Sequence, residues 1–336
     1  MKGIVAKLAS LALFVAPTGC SGFQSALDPR GPAADEIAGL IWFFTVVCAA
    51  IWLLVMLVLT VSLMRRWGPA DPLELEPVRE RRMWGAVVGA VAVTILIVVG
   101  LAVLTYFSDR SLAGIGGDSP LTIRVTGHQW WWEIRYEDAQ PSRILGTANE
   151  IHIPAGEPVR LVLNSRDVIH SFWVPSLAGK LDLIPGQENV LDLQADKPGV
   201  YRGQCAEFCG AQHAHMGITV IAEPRTSFDA WRQAQLLPPP EPTTDEQRNG
   251  RDLFMRGPCV MCHKIAGTAA GGMAGPDLSH LASRRTLAAG TLAISRGNLA
   301  AWIIDPQGIK PGAHMPVMDL DGDELNAVVA YLESLK

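Results

Sequence analysis

The run from Cys205 to Met216, Cys-Ala-Glu-Phe-Cys-Gly-Ala-Gln-His-Ala-His-Met, places two thiols, two imidazoles and a thioether within twelve residues. Thiolates beside imidazole and a thioether suit copper, whereas a closed tetrahedron of cysteine and histidine suits zinc. A further ligand has to come from elsewhere. His170, in Asp167-Val-Ile-His-Ser-Phe-Trp173 after a Val/Leu-rich stretch, is well placed to supply it. A mononuclear blue-copper site uses one cysteine, two histidines and a weak methionine, so the second thiol would be surplus there. Two metals account for both. Each thiolate then bridges the pair, one histidine serves each metal, and Met216 and a backbone carbonyl stand as weak outer ligands. If the segment is extended, His215 points away from His213, and it is set aside as a ligand.

A second chemical set lies downstream. Cys259-Val-Met-Cys262-His263 has the spacing at which two thiols add across haem vinyl groups and the histidine becomes the proximal iron ligand. Lys310-Pro-Gly-Ala-His-Met315-Pro316 resembles the Lys-Pro-Gly-x-x-Met-Pro element of class I cytochromes c, which names Met315 as the distal ligand. Met318 and His314 are the runners-up; Met255, Met261 and Met273 read as packing residues. Gly275-Pro-Asp-Leu278 resembles the segment that follows the haem signature.

The elements that must position these groups follow from hydropathy and turn residues. The chain has 336 residues, 49% hydrophobic and 18% charged, a balance that points to several domains with part of the chain in lipid. A net charge of −5 gives no sign of a nucleic-acid partner. Residues 1–19 read as an export signal: Lys2 and Lys7 precede an apolar run too short to span a bilayer. Pro17-Thr-Gly-Cys20-Ser resembles a lipoprotein cleavage site, making Cys20 the lipidated first residue of the mature chain; ordinary signal removal or retention as an anchor is the alternative. Residues 20–36 form an outer segment. The apolar blocks 37–64 and 83–107 each exceed the roughly 20 residues needed to cross the hydrocarbon. Between them, loop 65–82 carries Arg65, Arg66, Arg79, Arg81 and Arg82, which puts the loop in the cytoplasm and both ends outside.

From Leu121 to Ile221 short alternating runs separated by turns such as Pro154-Ala-Gly156 read as an antiparallel β-sandwich within a domain spanning 108–232. A Pro-rich spacer, 233–244, leads to residues 245–336, a small helical domain beginning with a helix-like run from Gln247 to Arg256 and closing on an amphipathic one from Glu324 to Leu335. All six cysteines have contexts other than disulfides: Cys48 sits in an apolar helix and the others belong to the motifs above.

Cys-x-Glu-x-Cys-Gly-x-x-His-x-x-Met, preceded by Asp-Val-x-His-Ser-x-x-Val-Pro-Ser, resembles the dinuclear copper A site of cytochrome c oxidase subunit II. With the class I cytochrome c at its end, the chain is similar to subunit II of caa3-type oxidases. The resemblance implies a two-helix transmembrane hairpin, a cupredoxin-like β-sandwich and an all-α cytochrome c domain in a bacterial inner membrane, the copper A and haem c domains on its outer face. It implies His170, Cys205, Cys209, His213, Met216 and the carbonyl of Glu207 as copper ligands, with the Glu207 carboxylate towards magnesium at the boundary with subunit I. The segment Gly127-His-Gln-Trp-Trp-Trp132 resembles the family's aromatic patch, where an exposed tryptophan takes electrons inward; by that match it is Trp130. His128 and His152 read as structural.

The implied partners are subunit I, with haem a, haem a3 and copper B, subunit III, membrane lipid, and an upstream donor such as a cytochrome c or a bc1-type complex. Oxygen reduction to water and proton pumping would then belong to subunit I, since neither apolar helix contains a histidine. Glu80, four residues before Trp84, stands near the family's glutamate for proton uptake, although Arg81 holds the matching place. Nitrous oxide reductase also uses copper A but needs a large propeller, for which this chain has no room. A membrane-anchored shuttle outside any oxidase stays open. Quinol oxidases lack the copper ligands present here.

Overall fold

The computed structural model describes residues 21–22, 24–65, 77–112 and 121–336. Cys20 and the export segment lie outside them. Two long helices, Pro32–Met64 and Pro77–Leu112, are apolar enough to cross a bilayer, and their large hydrophobic side chains are exposed. They run past the apolar blocks 37–64 and 83–107 because helical backbone continues where the sequence turns polar, at Asp35 and Glu36 in one and Glu80 in the other. The Ser108 hydroxyl donates to the Glu36 carboxylate, joining the end of the second helix to the start of the first. Glu80 is exposed in the first turn of its helix.

Ten strands follow: β1 (Thr122–His128), β2 (Trp131–Tyr136), β3 (Leu145–Ala148), β4 (Glu150–Pro154), β5 (Val159–Ser165), β6 (His170–Trp173), β7 (Leu181–Leu183), β8 (Asn189–Leu193), β9 (Gly199–Cys205) and β10 (Gly217–Glu223). They form two five-stranded sheets, ordered β3-β2-β1-β5-β8 and β4-β10-β9-β6-β7. Alternation does the sorting. In β1 and β5 every second residue is buried, which sends Ile123, Val125, Leu161 and Leu163 inward to meet Trp132, Ile134 and Phe172.

The sandwich is not purely antiparallel, however. β1 pairs with β5 and β4 with β10 in parallel. Alternating burial encodes which face a residue takes but not which way its strand runs, so hydropathy carries no signal for this. A helix, Arg225–Gln235, closes the domain, with Trp231 stacked on His152 at 4.0 Å between ring centroids. His152 and His128, the latter 3.2 Å from Glu133 and stacked on Trp131, are packing residues here.

The C-terminal domain is built on helices Asp245–Arg256 and Gly322–Ser334. Each opens on a capping box, Thr244 with Gln247 and Asp321 with Glu324, whose side chains satisfy otherwise free amides. The pair approaches closely at Gly250, where a Cβ would stand 1.9 Å from the Ala327 carbonyl oxygen. Phe254, Tyr331, Val328 and Leu332 fill the contact, and Met315 and Met318 both pack against the same core.

Candidate functional site

Three elements of one sheet converge on the metal-ligating side chains. β9 ends at Cys205, β6 begins at His170 beside it, and the connection to β10 supplies Cys209, His213 and Met216. His170 and Met216 are fully buried and Cys205 and Cys209 nearly so. The sulfurs of Cys205 and Cys209 lie 3.7 Å apart. His170 Nδ1 stands 3.9 Å from the Cys205 sulfur and His213 Nδ1 stands 3.6 Å from that of Cys209. The Met216 sulfur is 3.9 Å from Cys209, and the Glu207 carbonyl oxygen is 3.2 Å from Cys205. The ligand atoms of His170, Cys205 and Cys209 all fall within 4.8 Å of one another. Two thiols, two imidazoles, a thioether and a carbonyl therefore lie together, with His213 half-buried at the outer side, a soft donor set that fits copper.

Electrostatics prepares the thiols. The hydrogen bond between the two sulfurs favours the thiolate of Cys205, and the same contact together with burial pushes the Cys209 thiol up. Burial pulls the His170 imidazole down, but the adjacent Cys205 sulfur and the Asp167 carboxylate outweigh it and leave it raised. The Glu207 carboxylate stays outside the cluster, 3.7 Å from Lys180 Nζ.

Several residues inside these motifs have supporting roles that the motifs alone do not assign. Asp167 Oδ1 holds His170 Nε2 at 2.8 Å, which leaves Nδ1 for the metal side, and its other oxygen accepts from the Gln129 amide at 2.7 Å. The signal existed: an acid three residues before a ligand histidine. Gly127 gives His170 its room, since a Cβ there would lie 2.7 Å from the imidazole Cδ2. Gly210, at φ 114°, turns the loop beneath Trp130.

Trp130 is 8% exposed rather than open to solvent. Its Nε1 and the Gln129 Nε2 donate to the Cys209 carbonyl, at 2.9 and 2.8 Å. What covers it is the C-terminal domain: His314 lies 6.0 Å from it between ring centroids, and Gly312 faces the indole edge. Trp132 belongs to the sandwich core.

Cys259–Cys262 is a single helical turn, and the His263 amide bonds back to the Cys259 carbonyl at 2.9 Å. His263 Nδ1 donates to the Pro276 carbonyl at 2.8 Å, which leaves Nε2 as the free ligand nitrogen. Burial lowers the His263 pKa and so keeps the neutral, metal-binding form. Gly275 lets the chain pass the ring, since a Cβ would meet Cε1 at 2.7 Å. Gln307 holds the Met315 loop, donating to the carbonyls of Ala313 and Met315 at 2.7 and 3.0 Å and accepting from the Gly312 amide. These residues fit a covalent haem.

Residues 138–223 match the family described as cytochrome c oxidase subunit II, periplasmic domain, and residues 247–336 match the family described as cytochrome c. The chain is 37% identical to cytochrome c oxidase subunit 2 of Alkalihalophilus pseudofirmus, across 98% of this chain and 96% of that one. The chain belongs to the cytochrome c oxidase subunit 2 family.

This subunit II is also 32% identical to its counterpart in Bacillus sp. (strain PS3), over 73% of this chain and 72% of that one. Among solved structures it is similar to the periplasmic domain of subunit II from Bradyrhizobium japonicum, at 30% identity and TM-score 0.34, covering 36% of this chain and 96% of that one. Its cytochrome c is fused to the subunit II domain, and the pair make it an electron-transfer subunit of a haem-copper oxidase.

Proposed function

We propose that this subunit II receives electrons at its own haem c and delivers them through a dinuclear copper A centre to subunit I. Subunit I would hold haem a, haem a3 and copper B, which would supply the chemistry of oxygen reduction to water coupled to proton pumping. When bound, haem c and copper A supply reversible one-electron redox chemistry. Cys259 and Cys262 would hold the haem covalently, and His263 and Met315 would ligate its iron. His170, Cys205, Cys209, His213, Met216 and the Glu207 carbonyl would hold the two coppers.

One observation carries the dinuclear reading: the two thiols lie 3.7 Å apart, and each has its own imidazole nitrogen, at 3.9 and 3.6 Å. That near-symmetry would let two metals each take one histidine and both sulfurs. Met216, close to Cys209, suits a weak copper ligand and has no place in a zinc site. β9 and β10 hold the two ends of the loop, and β6 pairs with β9 beside it, which would restrain the ligand positions around bound copper.

The remaining assignments rest on the family's pattern. The outward Glu207 carboxylate would face magnesium and subunit I. Glu80, exposed at the start of its helix, would serve proton uptake. The helix pair would anchor the chain in the lipid of a bacterial inner membrane, beside subunits I and III, with a cytochrome c or bc1-type complex upstream. Co-purification tests subunit against free shuttle: the tagged chain should bring down a polytopic haem protein, and recovery of the chain alone would favour a shuttle. Cys209→Ser should abolish the dinuclear signal, and its survival would refute the bridging role.

A further inference from the structure

Two side chains of opposite charge are buried between the copper domain and the cytochrome domain, and each is answered by backbone of the other domain. Lys310, 3% exposed, comes from the cytochrome domain. Its Nζ donates to the carbonyls of Trp130 and His215 in the copper domain, both at 2.7 Å, and to that of Ala288 in its own, at 3.1 Å. Glu150, 2% exposed, comes from the copper domain at the start of β4. One carboxylate oxygen accepts from the amides of Arg285 and Thr286 in the cytochrome domain, at 2.6 and 3.2 Å.

A strained turn completes the contact. Ala288 and Ala289 have φ of 52° and 58°, a region L-residues seldom occupy, and Gly290 follows at 78°. The strain has a use. It presents the Ala288 carbonyl to Lys310 and the Ala289 carbonyl to the Gly217 amide of β10, at 2.8 Å. Gln212 of the copper loop reaches back to the Pro311 carbonyl at 2.7 Å. Lys310 is thus bound to the backbone of Trp130 on one side, while five residues along its own chain stands Met315.

We propose that Lys310 and Glu150 are positioning residues that lock the cytochrome domain onto the copper domain in a single docking position, so that the donor remains seated beside Trp130 instead of swinging on the Pro-rich spacer. The proposal rests on the electron-transfer reading of the same site and adds how that site is held.

The chemistry favours a lock over simple adhesion. Burial lowers the Lys310 pKa to about 7 against the opposing pull of Cys209. Burial likewise raises that of Glu150, against the amides of Arg285 and Thr286 and the charges of Arg284 and Arg285. Buried charges are costly unless every donor and acceptor is met, so they add little to affinity but penalise any misplaced docking heavily. Three carbonyls answer the three N–H groups of an ammonium; a neutral amine has only two. A shifted interface would strand both charges. Surface ion pairs, by contrast, weaken as salt rises and permit sliding.

Hydrogen exchange of the purified oxidase tests this directly, because the amides of Gly217, Arg285 and Thr286 have their acceptors across the interface. In the wild type these amides should be protected, and equally so over an approximately tenfold range of ionic strength. Lys310→Met, which keeps most of the unbranched stem but removes the charged amine, should speed their exchange by about tenfold or more, while the amides of Leu161 and Val328 in the two cores stay unchanged. Glu150→Gln, which keeps an acceptor oxygen, should produce a smaller increase and serves if Lys310→Met does not assemble. Unprotected amides in the wild type, protection that falls with salt, or unchanged exchange in both variants would overturn the lock. These amides report docking whatever metals are bound, so failure of the lock and failure of the copper assignment give different results.

Discussion

Trp130 Nε1 donates to the Cys209 carbonyl oxygen across 2.9 Å, and the same indole lies 6.0 Å from the His314 ring between centroids. One side chain therefore touches both the backbone of a copper-loop cysteine and the loop that carries Met315. Trp130→Phe keeps an aromatic ring but removes the N–H. Transfer from the haem to the copper domain should slow, with both metal spectra and the later step to subunit I intact. Flash-initiated kinetics separates those steps; an unchanged first step would take Trp130 off the path, leaving Trp131, Trp132 or the loop itself.

Asp167 orients His170 through a 2.8 Å contact and ties that histidine to the Gln129 amide. Asp167→Ala frees the imidazole and removes a negative charge beside it. Copper affinity should fall by roughly 10- to 100-fold, the usual effect of losing such a partner. Competition with a chelator of known strength measures it, and an unchanged affinity would show that the sandwich alone fixes His170.

Gly250 is where the first and last helices of the cytochrome domain touch, and its Cβ position is filled by the Ala327 carbonyl. Backbone cannot move aside as a side chain can. Gly250→Ala should destabilise that domain by about 1–3 kcal/mol, read as earlier thermal loss of the haem absorption band, while the copper signal persists to the wild-type temperature. Equal stability of the two proteins would mean the helices separate freely there.

Met315 and Met318 both pack against the cytochrome core. Gln307 fixes the backbone of Met315. Met315→Ala should remove the weak near-infrared methionine-to-iron band and lower the haem potential, because a thioether favours reduced iron. The same loss in Met318→Ala, with Met315→Ala unaffected, would transfer the ligand role to Met318.

Both chemical sites were legible because their ligands are crowded within short runs, and cysteine, histidine and methionine at such spacing have few other uses. The two membrane helices were legible from apolar length, and the capping boxes at Thr244 and Asp321 mark helix starts that a sequence displays openly. Strands as short as β3 and β7 leave little periodicity to read, and β6, whose first three residues are all buried, does not alternate. Strand direction was misjudged for the parallel pairs because burial is blind to it. Least legible was the domain interface. Lys310, Glu150 and Gln212 meet backbone groups distant in sequence, and a carbonyl leaves no trace in residue type. Trp130 was read as exposed for the same reason: its cover comes from another domain.

The central claim is that Cys205 and Cys209 bridge two metals, and the copper content and EPR spectrum of the purified protein test it most directly. Two coppers per chain and a mixed-valence signal split by both nuclei are the predicted result. One copper with a blue-type signal, or zinc in its place, would contradict it.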